Sequence, residues 1–380
     1  MESLSCPHSD SCAGCSEWKT AYELQLDKKI AHLTNGLKQI GLQDQPPIQV
    51  KSVGPAYLRD RLDFGIEDGR LGLYSKKTQG ILDLPDCFLL TPTLQEFYTD
   101  FRKIKWPLKK ASFRLRVSPT GERGAWLDFS NLDIKTLLEE KKSLLTLSEF
   151  AFVEIGQRRK SLKIHPDRLS LGDPVLKNWT QSQYLNQSIP LYSTVGSFSQ
   201  TGHAANQVIT STVARMSDSI SYSAFFEYGA GNGNLTFPAM KASPSKTESS
   251  PVLILETDKL ALESLEKAAK EQSLNSQIKI LQPKIVGTQL SQSEFWNSSK
   301  IEMILANPPR SGLNEFLQKI AQVELENLPR HFIYMSCYPE SFFQDSVILN
   351  NLKYRLKEIE IIDQFPQSTH YEIISHWETS

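Results

Sequence analysis

From about residue 196 onward the chain alternates strand-length apolar runs with helical segments. No other feature constrains its fold as tightly. Asn206 to Met216 has helical character, and Ala224-Phe-Phe-Glu-Tyr228 reads as a strand running into Gly229-Ala-Gly-Asn-Gly-Asn234. Val252 to Leu255 is a second strand, with a helix from about Lys259 to Gln272 after it. Ile301 to Ala306 and Phe332 to Met335 continue the rhythm, and Arg355 to Asp363 with Glu372 to Trp377 form a last pair. Such alternation builds a mostly parallel, doubly wound sheet, which binds ligands at the carboxyl ends of its strands.

Upstream the pattern differs. Residues 17–41 place Tyr22, Leu26, Ile30, Leu33, Leu37 and Ile40 at helical spacing, which predicts an amphipathic helix. Between about residues 48 and 192 the segments are short and separated by turn residues such as Pro119-Thr-Gly121. Examples are Ala111 to Val117, Ala125 to Phe129 and Phe150 to Ile155, and they read as an antiparallel, β-rich domain with a helix or two. The expected divisions are 1–47 (a cysteine segment and helix), 48–192 (a β-rich α+β domain) and 193–380 (the α/β sheet). A length of 380 residues suits two or three such units. Residues 243–250 read as a polar surface insertion.

Several classes are disfavoured at once. The longest apolar runs are far too short to span a bilayer, and Met1 to Cys6 lacks the basic and apolar regions of a secretory signal. The expectation is a cytoplasmic, monomeric protein whose five cysteines are reduced. Net charge is −1, yet residues 99–124 carry eight basic side chains against Asp100 and Glu122. A local stripe of this kind can contact phosphates while the whole molecule stays near neutral, although most charge runs are merely solvated faces.

Four motifs carry the chemistry. Gly229-x-Gly231-x-Gly233 lets backbone pass close to a ligand after the first strand of the sheet, and Glu256 ends the next strand, where a carboxylate can accept hydrogen bonds from a ribose. The full dinucleotide fingerprint is missing, so a methyl donor with one adenosine fits better than a nicotinamide cofactor. Asn307-Pro-Pro-Arg310 freezes the turn after the third strand and aims Asn307 into the cleft. Cys337 ends the fourth strand. A lone cysteine is usually a buried structural thiol, but its place at the carboxyl end of the sheet makes it a candidate nucleophile. Glu372 heads an apolar strand, where a carboxylate without a partner is costly, whereas the nearby His370 reads as a packing residue. Far upstream, Cys6-x5-Cys12-x2-Cys15 with Cys87 supplies four thiolates, enough for zinc or an iron–sulfur cluster; the spacing suits the cluster better.

Together these segments closely resemble the RNA 5-methyluridine methyltransferases over nearly the whole chain. Cys6-x5-Cys12-x2-Cys15 resembles the family's cluster motif, and Leu84-Pro-Asp-Cys87 the segment that carries the fourth ligand. Gly196-Ser-Phe-Ser-Gln200 resembles its donor-binding segment, and Asn234-Leu-Thr-Phe-Pro238 the end of its glycine loop. Ser336-Cys337-Tyr-Pro339 resembles the nucleophile motif and Phe365-Pro-x4-Tyr371-Glu372 the general-base motif. Tyr338 stands where Asn is common, and Gly229-Ala230 where an aromatic residue and a Cys are usual.

The resemblance implies a class I methyltransferase sheet joined to an N-terminal β-rich domain that carries a 4Fe-4S cluster on Cys6, Cys12, Cys15 and Cys87. It implies S-adenosylmethionine held by Gln200, Gly229, Asn234, Glu256 and Asn307, with Cys337 as nucleophile and Glu372 as base. With no RNA-binding β-barrel ahead of Cys6, ribosomal RNA is expected over transfer RNA, 23S above all. Two other readings are an RNA amino-methyltransferase, from the Asn-Pro-Pro motif, and an RNA-binding or RNA-folding protein with little turnover.

Overall fold

A computed structural model of the chain describes residues 6–128, 141–156, 159–242, 251–281, 296–297 and 300–379. The polar stretch at 243–250 lies outside the described residues. Helix α1 (Tyr22–Gln39) and strand β1 (Gln49–Ser52) come first. A central unit follows: β2 (Arg61–Glu67), β3 (Arg70–Tyr74), β4 (Ile81–Asp83), α2 (Pro92–Arg102), β5 (Lys110–Val117), β6 (Arg123–Asp128), α3 (Lys142–Ser148), β7 (Phe152–Ile155), β8 (Lys160–Ile164) and β9 (Leu169–Gly172). Its sheet has the order β4-β3-β2-β5-β6-β7-β8-β9 and is antiparallel apart from the β6–β7 pair. Leu94, Phe97, Tyr98 and Phe101 of α2 seal one face against Phe64 and Phe113. A hairpin, β10 (Lys177–Tyr184) and β11 (Gln187–Ser193), leads out of it.

The rest is the alternating unit: α4 (His203–Asp218), β12 (Phe225–Tyr228), α5 (Thr236–Ala242), β13 (Val252–Leu255), α6 (Lys259–Glu271), β14 (Ile278–Ile280), β15 (Met303–Ala306), α7 (Asn314–Ile320), β16 (His331–Ser336), α8 (Pro339–Asn351), β17 (Arg355–Asp363) and β18 (Glu372–Glu378). Its strand order is β1-β17-β18-β16-β15-β12-β13-β14, and only β18 runs antiparallel to its neighbours. The inner strands are buried on both faces, as parallel sheets require. Successive residues feed opposite layers: Phe226, Ile304 and Phe332 enter one core, and Phe225, Met303, Leu305 and Ile333 the other.

Two features depart from the order of segments along the chain. Strand β1, expected to open the β-rich region, instead pairs in parallel with β17 at the edge of the C-terminal sheet. Helix α1 packs there too, with Leu33 and Leu37 fully buried in the C-terminal core. Local periodicity reports that an amphipathic helix exists but not what covers its apolar face. A buried ion pair between Lys29 and Asp363, 2.7 Å apart, fastens α1 to the end of β17.

Candidate active site

The carboxyl ends of β12, β13, β15 and β16 open on one cavity of about 650 Å³. All seven residues expected to hold the donor or perform catalysis line it: Gln200, Gly229, Asn234, Glu256, Asn307, Cys337 and Glu372. They come from six separate segments, Gly229 and Asn234 sharing one loop, which the sheet topology gathers at its switch point.

The donor side is built on backbone. Gly229 has φ +75°, and a Cβ there would stand 2.6 Å from the Asn307 carbonyl oxygen, so only glycine lets the two strand ends approach. Crossed hydrogen bonds, from Gly229 N to Leu255 O and from Asn307 N to Tyr228 O, fix that approach. The Glu256 carboxylate accepts from Gly231 N at 2.9 Å, Thr257 N at 2.6 Å and Asp258 N at 2.8 Å, which holds it at the cavity wall. Asn234 exchanges reciprocal amide hydrogen bonds with Asn206 at 2.7 and 2.9 Å, so its side chain serves to brace the loop. Glycine backbone open to the cavity and an oriented carboxylate fit the methionine and ribose groups of S-adenosylmethionine.

The reactive side has three ionisable groups. Cys337 is half-buried, and its thiol is raised above the ordinary value, first by burial and then by Glu372. Arg310 opposes this: its guanidinium lowers both the Cys337 thiol and the Glu372 carboxyl. Glu372 is 3% exposed, and burial pushes it up to about 7. Its Oε1 accepts from Gln364 Nε2 at 2.7 Å, while Oε2 is buried with no protein partner. A desolvated carboxylate oxygen of this kind at a cavity wall is a proton acceptor in waiting.

Gln364 also donates to Gln200 Oε1 at 2.9 Å, which ties the segment ending at Gln200 to Glu372. Nothing local in the sequence marks the buried amide of Gln364. For Arg310 the sequence shows only a place in the turn Asn307-Pro-Pro-Arg310. The segment leading to Gln200 is clamped by the central sheet: Glu154 accepts from Val195 N and Gly196 N at 2.7 and 2.9 Å, and Arg114 donates to Gly196 O and Ser197 O.

Much of the basic stripe is engaged within the protein. Arg102 makes two hydrogen bonds to Asp83, Lys103 and Arg123 meet Asp100, Arg114 meets Asp63, and Arg116 is buried. Lys105 and Lys109 remain exposed on that face.

Cys6, Cys12, Cys15 and Cys87 share one neighbourhood. Burial first and then Cys87 push Cys15 up to about 12, and Cys12 and Cys6 act in the same sense; Arg59 pulls Cys15 and Cys87 the other way. Cys12 bridges to Ser75 beside β3, and the backbone of Ser16 and Glu17 donates to Gln367 O. Among the described residues, no group of three or more His, Cys, Asp or Glu side chains is arranged to hold a metal ion. None of the described helices is long and apolar enough to cross a membrane.

The chain is similar to known proteins. The family model described as tRNA (Uracil-5-)-methyltransferase matches residues 287–376, the part that carries Asn307, Cys337 and Glu372. An uncharacterized RNA methyltransferase of Bdellovibrio bacteriovorus is 41% identical over 98% of this chain and 95% of its own. The 23S rRNA (uracil(1939)-C(5))-methyltransferase of Vibrio parahaemolyticus is 23% identical over 99% of this chain and 82% of its own. The fold matches the crystal structure of the Pyrococcus abyssi tRNA (uracil-54, C5)-methyltransferase in complex with S-adenosyl-L-homocysteine. The TM-score is 0.66 at 17% identity, over 98% of this chain and 87% of that one.

Proposed function

The chain belongs to the RNA 5-methyluridine methyltransferase family, and from that membership we propose that it methylates C5 of a uridine in RNA through a covalent bond from Cys337 to C6 that Glu372 resolves. The observation that carries the reading is the shared cavity: Cys337, Glu372 and Arg310 face the same space as the glycine loop and Glu256. Ribosomal RNA of the large subunit is the preferred substrate in this reading. Its support is the alignment of the Vibrio relative, named for a 23S rRNA uracil, along nearly the entire chain.

C5 of uracil is a weak nucleophile. Attack of the Cys337 thiolate on C6 forms the C–S bond and moves the ring's electron pair toward O4, leaving C5 nucleophilic. Bound S-adenosylmethionine supplies the electrophilic methyl group that C5 takes up. Glu372 Oε2 then removes the C5 proton, the C5–C6 double bond re-forms, and the sulfur leaves as thiolate. The charges of Cys337 and Glu372 oppose each other, since Glu372 raises the thiol. Bonding of sulfur to C6 removes one of the two charges, so the Glu372 carboxylate becomes compatible with its surroundings when the proton must be taken. Arg310 favours the charged form of each in turn. An amino-methylating enzyme would have no work for either Cys337 or Glu372.

Cys6, Cys12, Cys15 and Cys87 are the ligands of a structural 4Fe-4S cluster in this reading. Burial and mutual charge hold Cys6, Cys15 and Cys87 in the thiol form, and a cationic cluster core would stabilise them as thiolate ligands. Such a cluster is wider than a single ion and takes thiolates set further apart.

The test is trapping on RNA that carries 5-fluorouridine, with S-adenosylmethionine present. Fluorine at C5 cannot leave as a proton, so a protein–RNA adduct should survive denaturing electrophoresis and vanish in Cys337→Ala. Undiminished methyl transfer by Cys337→Ala would refute the covalent route.

A further inference from the structure

A second cavity, of about 350 Å³, adjoins the nucleophile and the base, and the mechanism above does not use it. Tyr338 follows Cys337, and Tyr371 precedes Glu372. Cys337 and Glu372 line the first cavity, while Tyr338 and Tyr371 line the second. The backbone at Tyr338 is extended, with φ −140° and ψ 105°, so neighbouring side chains project to opposite sides. The two cavities therefore flank the segments that carry the reacting groups.

Four aromatic rings are among the lining of the second cavity, with Tyr338, His32 and His370 exposed and Tyr371 buried. His32 and Tyr371 are locked by a 2.8 Å hydrogen bond and an edge-on ring contact. Tyr338 is 38% exposed although it is a large ring beside the nucleophile. The cations of the wall are already neutralised, Lys28 by Glu17 at 2.6 Å and Lys29 by Asp363 at 2.7 Å, and Glu340 adds a negative charge. Among the described residues that line it, each lysine is already paired with a carboxylate. A neutral, flat heteroaromatic ring would find stacking faces, with the hydroxyls of Ser368 and Thr369 at the rim.

We propose that this cavity binds the nucleobase adjacent to the target uridine, with Tyr338 as its stacking platform. The inference rests on the function proposed above. A uridine turned out of its stack leaves its neighbour without a partner, and a ring beside Cys337 replaces that partner. Tyr338 is thus a specificity residue that reads the base next to the one modified.

The test uses hairpin RNAs with one loop 5-fluorouridine and randomised neighbours, in which one neighbour at a time is made abasic. Adduct yield is compared for wild type, Tyr338→Ala, Tyr338→Phe and His370→Ala. In wild type, loss of one particular neighbouring base should lower adduct formation roughly 5- to 100-fold, the range of a single base–aromatic stack. Tyr338→Ala should fall by a similar factor on intact RNA and become indifferent to that abasic site. Tyr338→Phe should behave as wild type, and His370→Ala should weaken the discrimination. If Tyr338→Ala loses adduct yet discriminates against the abasic site as wild type does, the residue merely positions Cys337 and the proposal is overturned. It is also overturned if wild type ignores abasic sites at every neighbour. If wild type forms no adduct with any RNA, the proposed function itself falls, and the subsite with it.

Discussion

Replacing Glu372 with glutamine should make the protein more stable while stopping its turnover, and the gain in stability should depend on pH. Burial raises the carboxyl from the ordinary 4.5 to about 7. Between those values the folded protein holds a proton that the unfolded chain has released, so stability falls as pH rises. The loss is complete above about pH 7 and amounts to about 3 kcal/mol. Glutamine keeps the shape and can still accept from Gln364, but it has no charge to bury. Urea unfolding of wild type and Glu372→Gln should therefore differ little near pH 4.5, with the variant drawing ahead by about 3 kcal/mol at pH 8. Glu154 and Glu227, also buried and raised, titrate in both proteins and cancel in the difference. In single-turnover assays the variant should accumulate covalently attached RNA, and wild-type turnover should rise as pH passes about 7. A gap between the two proteins that stays constant from pH 4.5 to 8 would refute the buried, charge-bearing role.

Other substitutions probe the frame around the site. Gly229→Ala should lower stability by about 2 kcal/mol or more, because it places a Cβ at positive φ and 2.6 Å from the Asn307 oxygen; titration calorimetry should show weakened S-adenosylmethionine binding as well. Lys29→Met should cost about 3–5 kcal/mol in chemical denaturation, since it strands Asp363 at 0% exposure, and adding Asp363→Asn should recover much of that loss. Protein purified without oxygen should contain iron and sulfide in equal amounts and absorb visible light, and Cys87→Ser should abolish both. A colourless, iron-free preparation would remove the cluster from the account.

Much of this protein could be read locally. Runs such as Met303 to Ala306 are apolar throughout because a parallel strand is covered on both faces, and the turns after them hold Gly229, Asn307 and Cys337 at the ends that meet ligand. Chemistry that depends on residue type, such as a thiol beside a turn or a carboxylate heading an apolar strand, was equally legible. Residues whose meaning comes from distant partners were not. Gln364 carries no local signal, yet it joins Gln200 to Glu372 across 164 and 8 residues of chain. Helix α1 and strand β1 precede the central unit in sequence but complete the C-terminal sheet. Within the basic stripe, only the tertiary structure pairs Arg102, Arg114 and Arg123 with carboxylates. The sequence alone thus determined the elements, the sheet and the candidate side chains that line its cavity, because hydrophobic period and residue chemistry are local properties. Tertiary structure alone decided the perturbed carboxyl, the clamp on the donor segment and the second cavity, because burial and charge pairing depend on what the rest of the chain brings alongside.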